Sequence, residues 1–181
     1  MSILTDKENA FLEAAEKGDI ATLETLISGK VNVNIQNDHG NTALHWAAAR
    51  GHTDSLELLI KAGAGLDIQD YGRYTALHLA AYYGHTDIVE LLIKADANLN
   101  IPNNRGKTAL TLAEEEGRTD IIELLKAEHA RRAAAAAQAA KQETFKRNAD
   151  SVTQVITALQ TRKHRQPAPA LKRRRVKRVK R

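Results

Sequence analysis

Apolar residues in this chain recur with the period of a helix, and the resulting helices recur with a longer period. Leu44, Ala47 and Ala48 fall on one helical face, and Leu77, Ala80 and Ala81 fall on another. Each is followed by a second apolar face, Leu56, Leu59 and Ile60 in one case and Val89, Leu92 and Ile93 in the next. Gly51 and Gly84 stand between the paired helices, where a left-handed residue ends a helix at least cost. Thr42 and Thr75 stand before the first helices and predict hydroxyl caps. The pattern therefore predicts pairs of short helices, each pair preceded by a turn. Full burial of a large aliphatic side chain is worth roughly 1.5–3 kcal/mol. No single pair can bury such a face alone, so the pairs must stack, and the alanines let neighbouring helices approach closely.

A shift of 33 residues superimposes the units. Thr42-Ala43-Leu44-His45 aligns with Thr75-Ala76-Leu77-His78 and then with Thr108-Ala109-Leu110-Thr111. Gly51-His52-Thr53-Asp54, Gly84-His85-Thr86-Asp87 and Gly117-Arg118-Thr119-Asp120 follow at the same step, as do Leu58-Leu59-Ile60-Lys61 and Leu91-Leu92-Ile93-Lys94. Earlier in the chain, Gly18-Asp19 precedes Gly51-His52 by the same interval, and Val33-Asn34-Ile35 precedes Leu66-Asp67-Ile68. Four units result, near residues 2–36, 37–69, 70–102 and 103–127, within a first domain at 1–130.

These motifs resemble the ankyrin repeat: Thr-Ala-Leu-His, then Ala-Ala, Gly-His, a Leu-Leu-Ile-Lys run and a closing Leu-Asn or Leu-Asp. The resemblance covers about the first 127 residues and implies an all-α ankyrin-repeat solenoid with hairpin loops projecting sideways and a concave face. Two departures stand out. Ala43, Ala76 and Ala109 replace the family's proline, a mild change. Asp70-Tyr71-Gly72-Arg73-Tyr74-Thr75 carries its glycine one residue early, which predicts an altered loop tip. At the ends of the array, Glu13 stands where Trp46 and Leu79 stand, Glu114 replaces the small Ala48 or Ala81, and Thr111 replaces the histidine. The first and fourth units accordingly read as caps on two full internal repeats.

The resemblance also assigns the recurring histidines. His45 and His78 are expected to hydrogen-bond the hairpin backbone, and His52 and His85 to order the inter-helix turn. The members of each pair belong to different layers, so they form no metal cluster, and no metal or other cofactor is expected. No phosphate loop, His-Glu-x-x-His or Gly-x-Ser-x-Gly is present, and Glu114-Glu115-Glu116 reads as a solvated face rather than paired catalytic carboxylates. The chain is not expected to be an enzyme.

All four tyrosines, Tyr71, Tyr74, Tyr82 and Tyr83, fall in the third unit. The family's contact positions are the hairpin tip, matched by Tyr71 and Tyr74, and the end of the first helix, matched by Tyr82 and Tyr83. The corresponding positions of the second unit include His39, Asn41 and Arg50, and those of the fourth include Arg105 and Lys107. Trp46 lies on the same first-helix side, where a structural role competes with a binding one. Tyrosine, tryptophan and arginine combine contact area with few rotors and a polar tip. Core packing poorly explains such a cluster at variable outward positions, so the group predicts a protein-binding surface.

Beyond Leu125 the turn motifs stop. Residues 131–165 are read as an Ala-rich helical extension followed by a short amphipathic helix, in which Phe145, Ala149, Val152, Ile156 and Leu159 keep a 4-3-4-3 spacing. Two heptads are too few for a stable isolated coiled coil. Folding back on the array, pairing with another helix and self-association stay open, with self-association the less favoured. Gln166-Pro167-Ala168-Pro169-Ala170 reads as an extended linker.

Charge changes the picture at this point. The net +5 conceals a balance of −9 over residues 1–130, +3 over 131–161 and +11 over 162–181. Lys172, Arg173, Arg174, Arg175, Lys177, Arg178, Lys180 and Arg181 repel one another, which predicts a disordered tail. Lys172 to Arg175 resembles a monopartite nuclear-localisation signal read by importin, and Arg162-Lys163 with Arg174 to Arg178 fits the bipartite form. The same charges suit nucleic-acid phosphates, although a tail without aromatics offers no base stacking. The tail could also fold onto the acidic body. A membrane surface is disfavoured for want of an apolar anchor. The absence of cysteine, an acidic start at Asp6, Glu8, Glu13 and Glu16, and no run of eighteen apolar residues point to an intracellular protein, nuclear or cytoplasmic. The reading is thus a non-catalytic interaction module or adaptor. The alternatives are a nucleic-acid-associated protein gripping phosphates through its tail, and a bacterial ankyrin-repeat effector acting in a host cell.

Overall fold

The structure is a computed structural model and describes residues 4–164. The linker at 166–170 and the basic residues from Lys172 to Arg181 lie outside the described residues. Eight helices are found among those described: α1 (Asp6–Lys17), α2 (Ile20–Ser28), α3 (Ala43–Arg50), α4 (Thr53–Lys61), α5 (Ala76–Tyr83), α6 (Thr86–Lys94), α7 (Ala109–Glu115) and α8 (Thr119–His164). The chain divides into two compact units, Met1–Arg132 and Ala133–Arg181.

In the first unit α1, α3, α5 and α7 pack side by side in chain order, and α2, α4 and α6 form the neighbouring layer. The reason begins at the caps. Thr42 Oγ1 accepts the His45 amide, while the ring of His45 accepts the Thr42 amide at Nδ1 (3.1 Å), a reciprocal box that closes the first turn of α3. Thr75 and His78 repeat it in α5, and Thr5 and Glu8 build the carboxylate version in α1. At the other end of α3, Gly51 sits at φ 76°, and a Cβ there would come within 2.8 Å of the His85 ring. Glycine is needed at this position both for the left-handed turn and for the approach of the next layer.

Phe11, Leu23, Leu44, Leu56, Leu59, Leu77, Ile88, Leu92, Ile121 and Leu125 are fully buried and form a continuous core. Ala47, Ala48, Ala80 and Ala81 are equally buried, and their small side chains allow the α1–α3–α5–α7 layer to close up. Ile60 and Ile93 are only half-buried, unlike the full burial expected of them, because each stands at the margin of the face that Leu59 and Leu92 centre.

The third hairpin also differs from expectation. Its tip is not altered, for the Asp70 amide donates to the Tyr74 carbonyl (2.9 Å) and the Arg73 amide to the Asp70 carbonyl (2.9 Å). The Asn37–Asn41 and Asn103–Lys107 hairpins make the same pair of bonds. The displaced glycine is compensated by Arg73, which adopts φ 62° where Gly40 and Gly106 have 81° and 72°. The hydrogen-bond pattern of the stack thus overrides the residue's own preference.

At the ends of the array, Glu13 is exposed and paired with Lys17, and Glu114 is exposed and paired with Lys126 at 2.8 Å. The first unit closes at Arg132. Its guanidinium donates to the carbonyl of Ala97 (2.9 Å) and pairs with Asp96 and with Glu128, so the last repeat-facing turn of α8 is tied to the end of α6.

In the second unit residues 133–164 continue α8 without a break. The separate short amphipathic helix expected over 145–159 is therefore part of one long helix, since no glycine or proline interrupts the stretch from Ala133 to His164.

Candidate functional site

The candidate surface is built on α3, α5 and the hairpins that precede them and α7. Each hairpin is held by a side chain from the previous layer. His45 donates from Nε2 to the Tyr74 carbonyl (3.0 Å), and His78 donates to the Lys107 carbonyl (3.1 Å). Because Nδ1 of each ring accepts the threonine amide, both imidazoles are neutral, with the proton on Nε2. Burial pushes both ring pKa values below the ordinary histidine value. Adjacent hairpins also bond directly, Tyr71 amide to His39 carbonyl (3.1 Å) and Asn104 amide to Gly72 carbonyl (3.1 Å). Beneath them Gln36 donates to the carbonyls of Gly40 and Gln69, and Gln69 to those of Arg73 and Pro102. Pro102 occupies the next position and has no side-chain donor, so the ladder ends there.

On this frame the tyrosines separate into two kinds. Tyr71 is 75 % exposed at the hairpin tip, with its ring over Gly40 of the preceding tip. Tyr82 and Tyr83, at the end of α5, are 40 % and 50 % exposed and meet edge to face with ring centres 5.0 Å apart. Tyr74 is half-buried instead, set edge-on to His78 at 5.8 Å, with its amide bonded to the Asp70 carboxylate. Tyr74 thus belongs mainly to the scaffold that presents the other three.

The remaining expected residues divide in the same manner. Trp46 is half-buried against the core, and the Arg50 guanidinium lies over its ring at 5.9 Å. Arg50 also pairs with Glu16 across one layer at 2.5 Å, which pins it beside the indole. Lys107 pairs with Glu115 at 2.6 Å. His39 and Arg105 are exposed at the hairpins on either side of the third, and Asn41 is half-buried with its amide held by Asn37. The surface therefore offers exposed phenols between two partly neutralised cations. This suits contact with a polar protein surface through aromatic area and hydroxyl hydrogen bonds.

Some participants were not anticipated. Glu16, which positions Arg50, carries no signal in the sequence. The Gln36–Gln69 ladder was visible in principle as one residue type at the repeat interval. At the opposite turns, where His52 and His85 were expected, they donate to the carbonyls of Glu16 and Ala49, and Arg118, which was not anticipated, does the same to Tyr82.

Among the described residues no three histidine, aspartate or glutamate side chains converge as metal ligands would, and no helix is long and apolar enough to cross a membrane.

Comparison with known families places two models on the chain, each described as ankyrin repeats (many copies), one over residues 11–60 and the other over 59–113. No curated protein matches the chain.

Proposed function

The chain belongs to the ankyrin-repeat family, whose repeats mediate protein–protein contact, and from that premise we propose that it is a non-catalytic adaptor with its partner site on the third repeat. The observation that carries this reading is the exposure of Tyr71, Tyr82 and Tyr83 on one repeat, while Tyr74 is turned inward to hold their frame. Trp46 with Arg50, and Arg105 with Lys107, extend the surface to the neighbouring repeats. Large rigid side chains at outward positions cost little entropy to immobilise and bring polar tips to a partner.

The test is affinity capture from cell extract with the full chain, compared with a chain carrying Tyr82→Ala and Tyr83→Ala. The double variant should lose the captured partner while its thermal transition stays nearly unmoved. Retained capture with a collapsed transition would assign the tyrosines to packing instead.

The basic C-terminus is proposed to act as a nuclear address. Eight of the ten residues from Lys172 to Arg181 are Lys or Arg, in the pattern importin reads. Deleting them should abolish nuclear accumulation of a tagged chain. Loss of a salt-sensitive affinity for DNA or RNA, with nuclear accumulation unchanged, would favour the phosphate-grip alternative.

A further inference from the structure

The second unit carries an apolar face with no cover among the described residues. Phe145, Val152, Val155, Ile156 and Leu159 are between 49 % and 77 % exposed. In the first unit, by contrast, Leu56, Leu59, Ile88 and Leu92 are fully buried. Burying such side chains gains roughly 1.5–3 kcal/mol each, so a face of this kind implies a partner surface.

The chemistry of that partner follows from how the charges are arranged. At 3.6 residues per turn, Phe145, Ala149, Val152, Ile156 and Leu159 fall in a narrow seam, the spacing of core positions in a coiled coil. Lys141 and Arg162 lie along one side of it with Val155, and Lys146 lies along the other. The two carboxylates of the segment, Glu143 and Asp150, lie on the far side of the helix. The flanks of the seam are therefore cationic and lack acidic groups. A second copy of the chain fits poorly, because an in-register parallel pair would set Lys141 against the other copy's Lys146 with no carboxylate within reach. A lipid surface fits less well than a helix, because the apolar stripe is narrow and thinned in its middle by Ala149.

We propose that residues 141–162 form one strand of a mixed coiled coil, and that the other strand is an amphipathic helix of a different protein with Asp and Glu flanking its apolar seam. Ile156 and Leu159 supply the β-branched and γ-branched pair that favours two-stranded packing. Ala149 leaves a hole for a large side chain of the partner. Lys141, Lys146 and Arg162 set partner choice by charge. This proposal rests on residues of the second unit and the tyrosine reading on residues of the first, and neither depends on the other.

The experiment uses the full chain and a labelled synthetic peptide of three heptads with Ile and Leu in its seam and Glu on both flanks, followed by fluorescence anisotropy. The acidic peptide should bind at least tenfold more tightly than the same peptide with Lys flanks. Binding should weaken with salt and fall at least tenfold in Ile156→Asp, whose exposed position leaves the thermal transition of the array in place. Lys141→Glu with Lys146→Glu should shift preference toward the Lys-flanked peptide. Acidic-peptide binding that survives Ile156→Asp would overturn the proposal, since the charge of the chain alone would then account for it. Equal binding of both peptides would overturn it too. So would failure to bind either peptide, whether the chain then associates with phosphatidylserine vesicles or sediments as a dimer through Ile156.

Discussion

His45 of the second repeat donates from Nε2 to the carbonyl oxygen of Tyr74 in the third, 3.0 Å away, while its Nδ1 accepts the amide of Thr42. One neutral ring therefore closes the start of its own helix and secures the next hairpin. His78 does the same for Lys107, and Thr111 stands at the corresponding place in the fourth repeat, where no further hairpin follows among the described residues. The tyrosine-bearing surface hangs on this link.

Replacing His45 with alanine leaves the Thr42 amide and the Tyr74 carbonyl without their partner and opens a gap in the core. The cost should be about 2–6 kcal/mol, since each of the two buried unsatisfied groups costs about 1–3 kcal/mol. Urea denaturation followed by circular dichroism measures it. A loss below about 1 kcal/mol would mean that water replaces the ring.

The same two histidines make the array sensitive to acid. Burial lowers their folded pKa values, so the native state favours neutral rings, whereas the unfolded chain takes up protons near the ordinary value of 6.5. Their contribution is fully present above that value and is lost as the pH falls below it, because the unfolded state then binds more protons. The thermal midpoint should fall between pH 7 and pH 5, and the fall should be smaller in a chain carrying His45→Gln and His78→Gln.

Arg73 occupies a left-handed conformation that costs a residue with a Cβ roughly 1–2 kcal/mol. Arg73→Gly should therefore hold or raise stability, by up to about 1 kcal/mol once the greater unfolded-state entropy of glycine is deducted. Gly40→Ala should be more damaging than Gly106→Ala, because a Cβ at Gly40 meets the Tyr71 amide at 2.8 Å and one at Gly106 meets nothing. Differential scanning calorimetry of the three variants gives the order directly.

Glu128 accepts hydrogen bonds from Arg131 and Arg132, which hold its carboxyl down to about 2 from an ordinary 4.5. Its stabilising effect is present above pH 4.5 and is lost as pH falls toward 2. Arg132→Ala frees the Ala97 carbonyl and the Asp96 carboxylate. Amide exchange should then quicken from Asp96 to Leu99 while α3 and α5 keep their protection.

Much of the fold was legible because stacking imposes one rule at every layer. Each repeat meets a near-copy of itself, so Thr42, Leu44, His45, Ala47 and Gly51 return at a fixed interval. A site made of exceptions is less legible. The four tyrosines were visible as a group, but only their contacts separate Tyr74, held edge-on to His78, from the exposed Tyr71, Tyr82 and Tyr83. Glu16 and Arg132 gave no warning, because an ion pair between layers or a clasp beyond the last repeat leaves no periodic trace.

By itself the sequence determined the helix pairs, their caps, the ends of the array and the separation of charge between an acidic body and a basic C-terminus. These follow from local preference and from the repeat interval. Only the tertiary structure decided that Arg73 would take a glycine's conformation and that Ile60 and Ile93 would stay half-exposed. The reason is that each depends on what adjoins it. Two neighbouring hairpins hold Arg73 in place, and a finite layer leaves its margins open.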